Sequence, residues 1–148
     1  EPRARHRLEW GRTYASAAHR PEDEADAARA LARAAFEDAL ATARASGLDA
    51  LAIDAIHMLA FVDTAPDRQL HWAREALAVS LSSLQPDARR WEPSIRHNVG
   101  YALHQLGRHD EALEEFRLAL ALRERGTDAG ARTGDDDDLS SGMIGGLP

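Results

Sequence analysis

The sequence predicts an all-α fold made of about three stacked, antiparallel helical hairpins. Composition is the first reason: alanine contributes 30 of the 148 residues and aromatic residues only 5%, a balance that favours helices over sheets. The second reason is an apolar pattern that occurs three times along the chain, with a period of about 40 residues. Such periods are typical of proteins whose helical units bury their apolar faces against each other.

The repeated pattern marks the second helix of each hairpin, here called helix B. Each copy has a small residue, with further small or apolar residues four, seven and eight positions later. The copies are Ala32, Phe36, Ala39 and Leu40; Ala73, Leu77, Ser80 and Leu81; and Ala112, Phe116, Ala119 and Leu120. The first helix, helix A, occurs twice with the same period. Its copies are His57, Leu59, Ala60 and Phe61, and then His97, Val99, Gly100 and Tyr101.

The first hairpin is predicted at about residues 3–46. Proline and acidic residues at 21–24 suit the first turn of its helix B, and Gly47 suits the end of that helix. Gly11 is the candidate for the small residue of helix A, but it lies much farther ahead of Ala32 than Gly100 lies ahead of Ala112. Either the turn of this hairpin carries an insertion or its register differs.

The second and third hairpins are predicted at 49–84 and 92–125. Pro66 begins a helix B as residues 21–24 do, because a proline in the first turn loses no helical hydrogen bond. Residues 85–91 leave room for one additional helical turn. The helix A segments are expected at 49–62 and 92–106.

The repeat domain is expected to cover 1–126, followed by an acidic, Gly- and Ser-rich flexible tail at 127–148. The tail contains four consecutive aspartates, 135–138, without the spacing of a calcium loop. It is interpreted as a solubilising segment or, alternatively, as a tethered ligand whose Met143, Ile144 and Leu147 enter a groove of this chain or of a neighbouring copy.

Composition also excludes several functions. The net charge is −7 and no basic face stands out, so nucleic acid is not an expected partner. The chain has no cysteine and no apolar run of about 20 residues, which argues against disulfides and a membrane partner. Cytoplasmic localisation is expected. The serines lack a nucleophile-elbow context, so no catalytic residue is assigned and no enzyme activity is expected.

Neither a metal nor a cofactor is expected. The histidines of the third helix A, His97 and His104, are seven residues apart, which separates them by about 10.5 Å along a helix. They therefore cannot share one tetrahedral metal ion by themselves.

The segment from Asn98 to Leu120, NVGYALHQLGRHDEALEEFRLAL, resembles the tetratricopeptide repeat. It has the small residue of helix A at Gly100, the glycine of the turn at Gly107, and the pattern A-x-x-x-F-x-x-A-L in helix B. The period of about 40 residues resembles the longer variants of this family. The resemblance implies a right-handed α-solenoid that acts as a non-catalytic scaffold binding proteins or peptides.

The resemblance also implies a binding groove along the helix A segments. Asn98 matches the position at which many relatives place an asparagine that bonds the ligand backbone, and an amide offers both a donor and an acceptor. The lysine pair of chaperone-binding relatives has no counterpart, since His57 and His97 stand there instead. The implied groove residues are His57, Met58, Phe61, Thr64, His97, Asn98, Tyr101, His104 and Gln105.

The last helix B carries more apolar surface than a terminal helix needs. Ala112, Phe116, Ala119 and Leu120 are expected to form its inward face, while Leu118 and Leu122 extend the apolar surface to one side. Terminal repeats normally end in a polar surface. A further repeat, a second copy of the chain or the tail could cover these leucines, or they remain exposed. The chain is accordingly interpreted as a scaffold, with a regulatory or sensor domain of a larger protein, or a self-associating module, as alternatives.

Overall fold

The structure, a computed structural model, describes the backbone of residues 1–15 and 22–134, and this part of the chain is helical without strands. The all-α prediction is therefore confirmed. The helices are α1 (Pro2–Ala15), α2 (Glu22–Ala45), α3 (Asp49–Val62), α4 (Pro66–Ser82), α5 (Pro86–Arg89), α6 (Glu92–Gln105) and α7 (His109–Gly134).

Each long helix packs on the next one along the chain. Helix α1 packs on α2, α2 on α3, α3 on α4, α4 on α6, and α6 on α7, while the short α5 contacts α3 and α4. The small residues of the repeated pattern are buried in all three copies, which allows the helices to approach closely. They are Ala32 and Ala39, Ala73 and Ser80, and Ala112 and Ala119.

Gly11 and Phe36 establish the register of the first hairpin. A Cβ atom added at Gly11 would lie 2.6 Å from Cδ1 of Phe36, just as one added at Gly100 would lie 2.7 Å from Cε1 of Phe116. The two hairpins therefore share their register, and the first contains an insertion. Most of the added length is helical, because α2 begins ten residues before Ala32 whereas α7 begins three residues before Ala112.

Helix α7 is longer than the sequence predicts, since it continues to Gly134 rather than ending near residue 125. The segment 127–134 contains no proline, and extending an existing helix adds a hydrogen bond for each residue fixed. The start of the tail at 127 therefore differs from the structure. Residues 135–148 lie outside the described residues, so the tethered-ligand hypothesis stays a prediction.

Two turns have the same glycine-based geometry. Gly47 and Gly107 have φ angles of 61° and 74°, in the left-handed region that residues with a Cβ rarely adopt. The amide of Leu48 donates to the Ala43 carbonyl at 2.9 Å, and that of Arg108 donates to the Leu103 carbonyl at 2.9 Å. Helices α2 and α6 therefore both end in a Schellman motif, in which backbone amides bond to carbonyl groups of the last helical turn.

Residues from the α4–α5 connection bind back to the α2–α3 turn, in an arrangement we call the Gln85 clasp. The side-chain amide of Gln85 donates to the Gly47 carbonyl at 2.6 Å and accepts from the Asp49 amide at 3.2 Å. The Ser83 hydroxyl donates to the Asp49 carboxylate at 2.6 Å. Two connections that are distant in sequence are thereby joined.

Asp63, directly after α3, is the centre of a second set of polar contacts, the Asp63 cluster. Its carboxylate accepts hydrogen bonds from Arg33 of α2 and, at 2.6 Å, from the Trp72 indole of α4. Arg68 adds an ion pair at 3.5 Å. Burial disfavours the charged carboxylate, but the hydrogen bonds from Arg33 and Trp72 outweigh it and hold the pKa of Asp63 below its usual value.

Candidate functional site

A pocket of about 200 Å³ opens between α3 and α6, which both pack on α4. Helix α3 contributes residues three and four positions apart and α6 contributes residues three apart, so each helix presents one face. Helix α4 contributes Gln69 and Ala73, which are also four residues apart. The small side chains of Ala60 and Ala73 leave the space that larger residues would fill. The lining residues are His57, Ala60, Phe61, Gln69, Ala73, Asn98 and Tyr101.

Two large aromatic side chains at this pocket are exposed to solvent. Phe61 of α3 is 63% exposed and Tyr101 of α6 is 52% exposed. The ring of His57 packs edge-on against Phe61 at a centroid distance of 5.1 Å, and it lies 5.9 Å from the Trp91 ring. The pocket is therefore bordered by two exposed aromatic rings, and the half-buried His57 ring packs against one of them, Phe61.

Asn98 and His57 form a hydrogen bond across the gap between α6 and α3. The Asn98 Nδ2 and His57 Nδ1 atoms are 3.3 Å apart. An amide nitrogen can only donate, so His57 Nδ1 accepts, which places the imidazole in its neutral form with the proton on Nε2. Within the described part of the chain the Asn98 Oδ1 has no hydrogen-bond partner, and this acceptor is available to a ligand.

The surroundings of His57 also favour its neutral form. Burial lowers the pKa of His57, and the nearby Arg12 guanidinium acts in the same direction, while the Asp54 carboxylate partly opposes them. Arg12 and Asp54 are paired to each other, with both carboxylate oxygens 2.7 Å from one guanidinium nitrogen. This pairing limits the net charge that His57 experiences.

We expect the free energy of unfolding to decrease as the pH falls below about 6.5, the usual pKa of histidine. Because His57 has a lowered pKa only in the folded state, the unfolded chain binds more protons in this window, with a slope of at most about 1.4 kcal/mol per pH unit from this group. Urea denaturation between pH 5 and 8 measures this pH dependence of the free energy of unfolding. His57→Gln should remove the part that comes from His57, whereas His6→Gln, at an exposed position on α1, should retain it. Equal slopes in both variants would contradict the assignment.

The other residues implied by the resemblance lie outside the pocket lining. His97 packs against Phe116 of α7, with the ring centroids 5.3 Å apart. His104 lies in the last turn of α6, with its Nδ1 3.2 Å from that of His109. Met58 is half-buried against the core, and Gln105 is exposed at the end of α6. The structure thus brings together His57, Phe61, Asn98 and Tyr101 from the predicted set.

Gln69 and Ala73 line the pocket although the helix A pattern does not predict them, because they belong to a helix B. Ala73 was already part of the repeated pattern, and Gln69 lies one helical turn before it. The Gln69 side-chain nitrogen donates to the Ala60 carbonyl at 3.4 Å, which leaves the amide oxygen as an acceptor. The spacing of Gln69 and Ala73 was the signal that could have identified them.

Helix α7 exposes apolar side chains, as the sequence indicates. Leu118 is exposed and Leu122 is half-buried. Leu113 and Leu120 are exposed as well, although Leu120 was expected to face inward with Ala112 and Phe116. Helix α7 packs on α6, and no other helix of the described part of the chain is seen to cover these leucines.

The described residues contain no group of three or more side chains that could hold a metal ion. None of the helices in that part of the chain is long and apolar enough to cross a membrane.

Comparison with known proteins gives no further guide to this pocket. The chain matches no family model, no curated protein and no solved structure. The tetratricopeptide resemblance therefore depends on the repeated residues alone, and the candidate site depends on the geometry of α3, α4 and α6.

Proposed function

We propose that this chain is a tetratricopeptide-like scaffold that binds an extended segment of a partner protein, without catalysis, at the pocket between α3, α4 and α6. The observation that carries the proposal is the exposure of Phe61 and Tyr101 beside the available amide oxygen of Asn98. Exposed aromatic residues next to polar groups that can pair with a peptide are characteristic of binding surfaces.

The two rings provide most of the available binding energy. An aromatic side chain buries about 150–250 Å² when fully covered, and more than half of each ring is exposed here. At about 25 cal/mol per Å², covering them contributes roughly 2–3 kcal/mol each before the costs of association. The Asn98 amide adds orientation, since it can pair with the backbone of an extended peptide.

The absence of catalysis is supported by the kind of groups that line the pocket. His57 and Tyr101 are its titratable side chains. His57 accepts from Asn98 rather than from a hydroxyl nucleophile, so the described pocket lacks the nucleophile and base pair of covalent catalysis. The geometry favours holding a ligand over transforming one.

Peptide display tests this function. Peptides selected on the wild-type chain should bind the double variant Asn98→Ala/Tyr101→Ala about 100-fold more weakly, because a loss of about 2.7 kcal/mol corresponds to that factor. Circular dichroism should show unchanged helicity, since Tyr101 is exposed and Asn98 half-buried.

The matched control is Leu113→Ala/Leu120→Ala, which removes two exposed apolar side chains from α7. This variant should bind the selected peptides as the wild type does. Equal binding by the Asn98→Ala/Tyr101→Ala variant, or loss of binding only in the α7 control, would show that the pocket is not the binding site.

Self-association through α7 is a second candidate function. It is favoured by the exposure of Leu113 and Leu120, which lie seven residues apart on one face of the last described helix, since uncovered apolar faces of this kind often mark interfaces. Light scattering of the wild type against Leu113→Glu/Leu120→Glu tests it. A wild-type dimer that the charged variant converts to a monomer supports self-association, and a monomeric wild type contradicts it.

A further inference from the structure

The size of the pocket limits what it can hold. Its volume is about 200 Å³, and an apolar cavity of about 150 Å³ accommodates benzene. The pocket between α3 and α6 therefore has room for one large side chain, and it is too small for a helix or for two such side chains.

The pocket lining is uncharged, which excludes charged side chains as occupants. None of its seven residues is Asp, Glu, Lys or Arg. The charged groups that act on His57 are Arg12 of α1 and Asp54 of α3, and they are already paired to each other at 2.7 Å. A charged side chain entering the pocket would lose its hydration without gaining a counter-ion, which is unfavourable.

The geometry of the rings favours an aromatic occupant over an aliphatic one. His57 and Phe61 already form an edge-to-face pair with centroids 5.1 Å apart, and Tyr101 lines the same pocket from α6. Aromatic rings gain energy beyond area burial when their centroids lie about 4.5–7 Å apart in such arrangements. A ring placed between Phe61 and Tyr101 would extend this cluster.

Two amide side chains determine which polar groups a ligand must offer. Asn98 uses its nitrogen toward His57, and Gln69 uses its nitrogen toward the Ala60 carbonyl. Within the described residues the side-chain oxygens of both are left as acceptors. They match N–H or O–H donors, which a peptide main chain, an indole or a phenol provides.

We infer that the partner segment is anchored by one uncharged aromatic side chain that enters this pocket, with N–H groups of the segment donating to Asn98 and Gln69. The inference rests on the proposed function and specifies its ligand. It assigns Ala60 and Ala73 the role of keeping the pocket open for the ring.

An NMR titration of the full 148-residue chain tests the anchor directly. The probes are the N-acetyl amides of tryptophan, phenylalanine, leucine, lysine and glutamate, and the signals are the Asn98 and Gln69 side-chain amides. The aromatic amides should shift these signals and bind at least fivefold more tightly than the other three. Equal binding of the leucine, lysine or glutamate amide, or no binding of the aromatic ones, would overturn the inference.

Filling the pocket gives an independent test. Ala60→Leu places a larger side chain at the half-buried lining position on α3 and should abolish the response to the aromatic amides. Ala78→Leu makes the same change at an exposed position on α4 and should leave the response intact. An unchanged response in the folded Ala60→Leu variant would overturn the inference.

Failure of the inference can be told apart from failure of the proposed function. If displayed peptides require Asn98 and Tyr101 but carry a charged or aliphatic anchor, the scaffold function stands and the anchor is wrong. If the peptides bind without these two residues, the proposed function itself is wrong.

Discussion

Replacing Gly11 with valine is expected to lower the free energy of unfolding by about 3 kcal/mol, the upper end of the usual cost of overpacking a core. A Cβ at this position would lie 2.6 Å from Cδ1 of Phe36, well inside van der Waals contact. Phe36 is fully buried, so its ring cannot move into solvent to relieve the clash, and a rigid neighbour raises the cost. Urea denaturation monitored by circular dichroism measures the change.

A double-mutant cycle with Phe36→Leu identifies the cause. The smaller side chain should relieve the clash, so Gly11→Val should cost at least about 1 kcal/mol less in the Phe36→Leu background. Gly126→Val is the matched control, because a Cβ at Gly126 meets no atom within 4 Å. A similar loss at both glycines would mean that backbone effects, rather than contact with Phe36, explain the result.

Replacing Asp63 with alanine is expected to lower the free energy of unfolding by about 2–3 kcal/mol, because hydrogen bonds to charged groups contribute about 1.5–3 kcal/mol. The Asp63 side chain is only 10% exposed and accepts from the Arg33 guanidinium and the Trp72 indole. Removing it leaves both donors without their acceptor. The ion pair of Arg68 with Asp63 adds little, because the Arg68 side chain is 50% exposed and solvent screens its charge.

Asp87→Ala is the matched control for Asp63, since the Asp87 side chain is 78% exposed in its pair with Arg90. It should change stability by less than about 1 kcal/mol. The wild type should also lose the Asp63 contribution in acid. Because the pKa of Asp63 is lower in the folded state, that contribution is present above about pH 4 and disappears as the pH falls through the folded pKa. An Asp63→Ala variant as stable as the control would contradict the role of the cluster.

Local signals explain why most helix ends could be predicted. Pro66 begins α4, and the predicted 49–62 segment coincides with α3. Gly47 ends its helix through a positive φ angle that depends on one residue type. The end of α7 was not predictable in the same way, because glycine and aspartate after residue 126 weaken a helix without stopping it.

The candidate site was predictable only in part, because its members depend on which helix lies next to each face. His57 and His97 occupy equivalent positions in two copies of helix A, yet His57 bonds Asn98 of the following helix A while His97 packs on Phe116 of its own hairpin. No further helix A follows α6 in the described chain, so His97 has no equivalent of Asn98 to meet. A repeat pattern in the sequence predicts the shared face but not this difference.

The Gln85 clasp affects which helices can unfold locally while the rest of the protein stays folded. Chains of helices that contact only their neighbours can fray inward from either end, one unit at a time. The clasp joins residues 47–49, where α3 begins, to residues 83–85, which directly follow α4, so these two helices cannot separate without breaking its hydrogen bonds. We therefore expect α3 and α4 to exchange their amide hydrogens as one cooperative unit, more slowly than α7. A ligand that binds in the pocket would contact helices α3 and α4, which the clasp already holds together. Little of its binding free energy would therefore be spent on ordering the protein.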